Sequence, residues 1–473
     1  MSKAYRIAQV QCLIIAFGLV CVLDNTRGIF WVVFAATVLN LILMLLQRPA
    51  YLRLAMVWQA GILVIFVPEG LLFADRMINE AAGADNLLTA ARYIALCAIG
   101  FLLVYSCSFS ESKVKRDIKA REVNDNSVAM SARPTFATKA LLITMYAAFL
   151  ATGIPAAYLG LQGGRAAFAQ YQGQQLGAVG SQIAGLIGLA LPALISSYYR
   201  ILRRDRRALS KSIIAAVPVL VVLFAIGTRF YLLFSVSGLF FVNFGRAKLN
   251  LKLAARIAVV VAILGFGAEV MHSTRGLGIL SESAGPSVGG NIGVAEALVS
   301  YENVTPTMSM LVDYFRHNDH MWGLSSSTLL VFWIPRSIWP SKPTFLGYWF
   351  IRQYESSRSV GRGHSVSLTF AGDAYADFGF LGGVLFWALL GYPFALLERW
   401  TATHIQRHHE WGTRLAAAFL YPTVFFSVRS LNTAALVAAS AMAVFCLLRL
   451  TIRVTRAPSN VEEPTLAPSG YLR

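Results

Sequence analysis

Charge is scarce in this chain, and acidic charge scarcest: of 473 residues, 23 are Asp or Glu and 41 are Lys or Arg, so charged residues make up 14%. Soluble domains carry about 25% charged residues. With 56% hydrophobic residues and a mean hydropathy of +0.59, the chain is excluded from that class. Cysteine is sparse as well. Cys12, Cys21, Cys97, Cys107 and Cys446 fall inside or at the edge of apolar runs and show no Cys-x-x-Cys spacing, which excludes a disulfide scaffold and a thiolate metal site. No small-residue cleavage site follows the first apolar run, and Gly18-Leu-Val-Cys21 is a poor lipoprotein signal. That run is therefore read as a retained first span. Asp313, His317 and His320 are spaced to share a helical face, but a polar face on a surface helix accounts for them as well as a zinc site does. No metal site and no cofactor are expected.

What the chain has in abundance is long apolar runs. Stretches of a length that crosses a hydrocarbon core as helix centre near residues 15, 38, 63, 99, 149, 190, 220, 238, 262, 388, 420 and 441. The fold class expected is all-α: a polytopic membrane protein of about 12 helices, residues 1–456 forming one membrane domain. Residues 457–473 are a Pro/Ser/Glu-rich tail with the composition of disordered chain. The runs on either side of Gly227-Thr-Arg229 leave too short a break for a loop and read as a tight helical hairpin with Arg229 at its tip.

The net charge of +18 and pI near 9.9 would suggest nucleic acid in a soluble protein. Here the basic residues sit mostly in short loops between apolar runs, so they report topology and no nucleic-acid partner is expected. With the N-terminus inside, 28 of the 41 basic residues fall in the N-tail, 47–53, 109–139, 200–211, 245–256, 398–414 and the C-tail. Three outer segments follow: 74–90, 161–181 and a large one, 271–377. The last is rich in aromatics, unlike disordered chain. Its apolar stretch 326–334 is too short to span and belongs at the interface or in a re-entrant turn.

Candidate residues gather on that outer side. Ile334-Pro-Arg-Ser-Ile-Trp-Pro-Ser-Lys-Pro343 combines three prolines, an interfacial Trp339 and two cations, Arg336 and Lys342. It reads either as an anion site or as an interfacial turn facing headgroups. Arg165, Arg229, Arg275 and Arg336 all lie outside, against the bias. As a group they suit a phosphate-bearing ligand, whose oxygens match guanidinium forks. Asp373 and Asp377, four residues apart at the outer mouth of a span, share one face; Asp377 also reads as an N-cap of that span. Glu69, beside Pro68, is a carboxylate at membrane depth and so a candidate functional residue. His408 and His409 read as part of a solvated inner loop.

Taken in order, Gly163-Gly-Arg165, Gly227-Thr-Arg229, the Pro335-Arg-x-x-Trp-Pro-x-Lys-Pro343 element and Gly372-Asp-Ala-Tyr-Ala-Asp-Phe-Gly-Phe-Leu-Gly382 resemble the Wzy-type O-antigen and oligosaccharide repeat-unit polymerases. The resemblance covers residues from about 160 to 390. It departs from the family at Asp373 and Asp377, where such sequences often carry a glutamate and an asparagine. What the resemblance implies is a glycosyltransferase in the bacterial inner membrane with a periplasmic loop at 271–377, and because no Cys/His/carboxylate cluster has convincing ligand spacing, metal-independent catalysis is expected. Its substrate would be undecaprenyl-pyrophosphate-linked oligosaccharide, and a polysaccharide chain-length regulator its partner among the membrane lipids. Arg336, Arg229, Arg165, Lys342 and Arg275 would hold the pyrophosphate, and Asp373, Asp377 or His364 would take the acceptor proton. Two other readings stay open: an O-antigen ligase acting on lipid A core, and a transporter for the same lipid.

Overall fold

The computed structural model describes residues 2–47, 53–72, 81–110, 130–134, 136–171, 177–202, 207–225, 229–244, 304–331, 338–354, 368–405, 419–425, 427–429 and 452–456, with isolated positions besides. Seven described helices are long and apolar enough to cross a membrane. The chain is thus a polytopic helical membrane protein. The seven match the runs centred near 15, 38, 63, 99, 149, 220 and 388. The runs near 190, 238 and 420 are helical too, at Gly177–Ser197, Arg229–Phe244 and residues 419–425. Those near 262 and 441, and the tail 457–473, lie outside the described residues.

The helices sort into two bundles. The first contains α1 (Ser2–Val22), α2 (Thr26–Leu46), and α3 (Leu54–Gly61), which continues through a π-helical stretch, Ile62–Phe66, into α4 (Val67–Leu72). With these pack α5 (Ala84–Ser108) and the second half's long helix, Gly372–Ile405. The other bundle is α6 (Phe136–Tyr171), α7 (Gly177–Ser197), α8 (Ala208–Ala225) and α9 (Arg229–Phe244), around Phe149, Leu191, Leu194, Val219 and Phe234. Phe425 packs against both cores, so the stretch 419–425 bridges them.

The large loop contributes three short helices: α10 (Val304–His317), α11 (Leu324–Val331) and α12 (Leu346–Tyr354). The long helix that follows is α13 (Gly372–Ile405). One face of α13 is exposed at Leu381, Leu385, Leu389, Tyr392, Leu396 and Trp400, while Val384, Trp387, Ala395 and Ala402 are buried. That spacing is the stripe of a helix with one lipid face and one packed face. The packed face meets α5 at very close range: a Cβ on Gly391 would sit 2.5 Å from the Phe101 carbonyl and 2.8 Å from the Tyr105 nitrogen. Small residues at such crossings let two spans approach backbone to backbone.

The all-helical expectation gains one addition. Residues Met130–Pro134 (β1) pair antiparallel with Ile452–Arg456 (β2). The charge bias puts both stretches inside, and strands that pair must lie on one side of a membrane. The outer segment expected at 161–181 is shorter than its composition suggests, because α6 continues to Tyr171 and α7 begins at Gly177. Arg165 therefore sits on a helix rather than in an open loop.

Candidate functional site

At the end that the charge bias makes the outer one, four carboxylates tie the large loop to the spans. Glu69, 3% exposed on α4, accepts from the Thr305 backbone N–H at 3.2 Å and from the Thr305 hydroxyl at 2.9 Å. It caps the first turn of α10, whose leading N–H groups have no partner inside the helix and whose dipole favours a negative charge there. The membrane-depth carboxylate legible in the sequence is thus engaged by a helix 236 residues further along. Further down α10, Ser309 accepts from the Ala82 N–H at 3.1 Å, and Asp313 accepts from the Asn86 amide at 2.8 Å. Thr305, Ser309 and Asp313, each four residues apart, form one polar edge laid against the span ends, while Val304, Met308, Leu311 and Val312 enter the core.

Asp377, fully buried, caps α11. Its two oxygens accept from the backbone N–H groups of Ser325 at 2.9 Å and Ser326 at 2.7 Å. Asp373, one turn earlier, accepts from the Ser325 hydroxyl. The expectation that Asp377 caps its own span is corrected: it caps a different helix, 52 residues earlier in the chain. The same turn of α13 also presents the carbonyls of Ala376 and Asp377 to the N–H groups of Met321 and Trp322, at 2.8 and 3.2 Å. Gly379 interrupts α13 with φ +70° and ψ −166°. Carbonyls just before a break cannot all continue the helical ladder, which leaves them available to the 321–323 turn.

His320 closes this corner. It lies beyond the end of α10, so it does not share a helical face with Asp313 and His317, contrary to the spacing argument. Its ring stacks on Phe315 with centroids 5.3 Å apart and meets Tyr375 edge-on. A Cβ on Gly379 would fall 2.8 Å from His320 Nε2. Among the described residues, the buried Nδ1 atom has no hydrogen-bond partner. Among the described residues, no group of three or more His, Cys, Asp or Glu side chains is placed to hold a metal ion.

On the other side of α10, α12 stacks Trp349 on Phe315 and sets the Tyr354 hydroxyl 3.0 Å from the Met310 carbonyl. Burial, with Asp313 and Tyr314 nearby, pushes that hydroxyl up to about 12, so it remains a donor at neutral pH. Lys342 donates to the Ile334 carbonyl at 2.6 Å, and Trp339 Nε1 donates to Ser341. Lys342 thus ties Ile334 to the turn that precedes α12. Trp322 is 81% exposed, and Leu330, Ile338 and Trp339 are exposed too; exposed aromatic and aliphatic side chains of this kind suit an interfacial segment.

Of the residues singled out from sequence, the structure brings Asp373 and Asp377 together on Ser325 and places Lys342 in the turn before α12. Arg229 opens α9 and Arg165 lies within α6, but their side chains lie outside the described part. Arg336, Arg275 and His364 lie outside the described residues. Sequence reasoning missed Thr305 and Ser325; a Thr-Pro pair and a Ser-Ser-Ser run at helix starts are the signals that could have found them.

No family model, no curated protein and no solved structure matches this chain.

Proposed function

We propose that the chain is a glycosyltransferase that polymerises undecaprenyl-pyrophosphate-linked oligosaccharide repeat units at the outer face of the bacterial inner membrane. The observation that carries this reading is the fixed platform at one end of the bundle. Glu69, Asp313 and Asp377 bolt α10 and α11 to the ends of α4, α5 and α13, and the same loop exposes Trp322 and Trp339. A lipid-linked substrate presents its pyrophosphate at headgroup depth, and catalysis there needs donors and acceptors held in place before the substrate arrives.

In this reading, Arg336, Arg229, Arg165, Arg275 and Lys342 neutralise the leaving pyrophosphate, with no metal ion required. Asp377 is a poor choice for the base that takes the acceptor hydroxyl's proton, because backbone N–H groups already engage both its oxygens. That role falls to Asp373 or His364. A transporter fits less well, since the spans carry few charged residues and the sequence shows no internal repeat. An O-antigen ligase shares the donor and the location.

Deleting the gene and displaying the surface glycan by size separates the readings. A polymerase is expected to leave lipid A core carrying single repeat units, a ligase to leave core with none, and a transporter to leave repeat units on the inner leaflet. Long-chain glycan in the deletion strain would sink the proposal.

A further inference from the structure

Left-handed backbone is concentrated in one corner of the molecule. Among the described residues, two that carry a side chain have positive φ, Trp322 at 50° and Thr369 at 65°, and three glycines do, Gly83, Gly323 and Gly379. Four of these five frame the first two turns of α13. Trp322 and Gly323 belong to the turn that donates to the Ala376 and Asp377 carbonyls, Thr369 lies three residues before α13, and Gly379 interrupts it. A bulky or β-branched residue in this backbone region is an outlier that persists only where its surroundings dictate it, and such outliers gather at functional sites.

The contacts around Thr369 show what dictates it. Its hydroxyl oxygen accepts from the Ala371 N–H at 2.9 Å, the local turn that Ser and Thr side chains form with the backbone two residues on. The Phe370 N–H donates to the Val428 carbonyl at 3.1 Å, and Thr369 itself is 2% exposed. The chain doubles back so closely that a Cβ on Gly372 would fall 2.7 Å from the Leu368 Cβ. From the span side, Tyr93 on α5, 0% exposed, donates its hydroxyl to the Ala371 carbonyl at 3.0 Å. Its ring meets Tyr375 edge-on with centroids 4.9 Å apart, and Gly383 leaves no room for a Cβ beside its oxygen. Ala371, the last residue before α13, is thereby held at its N–H by Thr369 and at its carbonyl by Tyr93.

Asp373 is two residues further on, in the first turn of α13, where its carboxylate accepts from the Ser325 hydroxyl. An apolar run alone leaves the start of its helix loosely defined, whereas a turn held at both polar groups fixes where α13 begins and so where Asp373 sits. We infer that Thr369 and Tyr93 are positioning residues for Asp373, an assignment that rests on the polymerase reading and selects Asp373 over His364 as the base. In that reaction the acceptor hydroxyl oxygen bonds the donor's anomeric carbon, and the bond from that carbon to the pyrophosphate oxygen breaks with its electron pair. The hydroxyl proton passes to the Asp373 carboxylate. A misplacement of about 1 Å costs such a step roughly a hundredfold in rate.

The test measures elongation by the full chain in lipid nanodiscs over a range of concentrations of lipid-linked repeat units extracted from the strain that lacks the gene. Tyr93→Phe keeps the packed ring and removes the hydroxyl; Thr369→Val keeps the β-branched shape and removes the acceptor. Each should lower kcat roughly ten- to a hundredfold while KM stays within about twofold, because the contacts to substrate are untouched. Thr369→Ser, which keeps the oxygen, should recover most of the rate. Residues with a structural role alone would lower protein level and thermal stability and leave kcat per folded molecule unchanged. That result, or a Ser variant as slow as the Val variant, would overturn the positioning role. No elongation by the wild-type chain would overturn the polymerase reading itself, and the role of Asp373 with it.

Discussion

Asp377 accepts hydrogen bonds from the backbone N–H groups of Ser325 and Ser326 at 2.9 and 2.7 Å, so the mouth of one span sets where the loop helix α11 begins. Replacing a capping carboxylate by Ala costs about 0.5–2 kcal/mol of helix stability. Asp377→Ala should therefore loosen α11, seen as faster backbone hydrogen exchange over 324–331, while Asp377→Asn, which keeps one acceptor, should exchange at an intermediate rate. Exchange unchanged in the Ala variant would show that the cap contributes nothing to α11.

Asp373 touches the same serine but through its hydroxyl. If Asp373 is the base of the proposed reaction, Asp373→Asn should abolish polymer while protein level and exchange over 324–331 stay near wild type. The pairing of the two variants matters: polymer lost only in proportion to exchange over 324–331 would make both aspartates structural.

Glu69 and Thr305 form a buried charge-assisted pair. Hydrogen bonds to charged groups contribute about 1.5–3 kcal/mol, and a double-mutant cycle with Glu69→Gln and Thr305→Val should recover a coupling of that size. Purely additive losses, read from thermal unfolding in detergent, would mean that α10 is held by its apolar face alone.

Gly379 combines φ +70° with His320 directly above it. Backbone at φ +70° and ψ −166° is essentially glycine-only and costs a side-chain-bearing residue about 1–3 kcal/mol, and the Cβ would also displace the imidazole. Gly379→Ala should lower the membrane level of the protein, and adding His320→Ala should restore part of it, since that relieves the clash but not the backbone cost. Normal levels in Gly379→Ala alone would refute the kink as a requirement.

Arg336 carries the proposed pyrophosphate contact. Losing a charge-assisted donor to a developing anion costs about 2.7–4 kcal/mol, or roughly two to three decades in rate. Arg336→Ala should leave single repeat units at normal protein level, and Arg336→Lys should fare nearly as badly, because a point charge cannot reproduce a bidentate fork. Full-length polymer in both variants would remove Arg336 from the site.

The spans were legible because the property that makes them is local: a run of apolar side chains buries its own backbone hydrogen bonds wherever it sits, and its flanking Lys and Arg residues bias its direction. That Glu69, Asp373 and Asp377 fall at span ends facing the large loop followed from the same local arithmetic, as did the short length of α11. What those carboxylates touch was not legible. Glu69 meets Thr305 across 236 positions and Glu398 meets Ala55 across 343, and no periodicity within either segment encodes the other. Asp377 illustrates the difference, since the spacing of its own helix suits an N-cap, yet the packing of α11 against α13 gives it a nearer set of N–H groups to satisfy. The sequence reading set residues 53 and 398 at the edges of the inner segments 47–53 and 398–414. Only the tertiary structure decided that both are buried, because only it brings α1, α2, α3, α5 and α13 close enough to exclude solvent from the side chains between them.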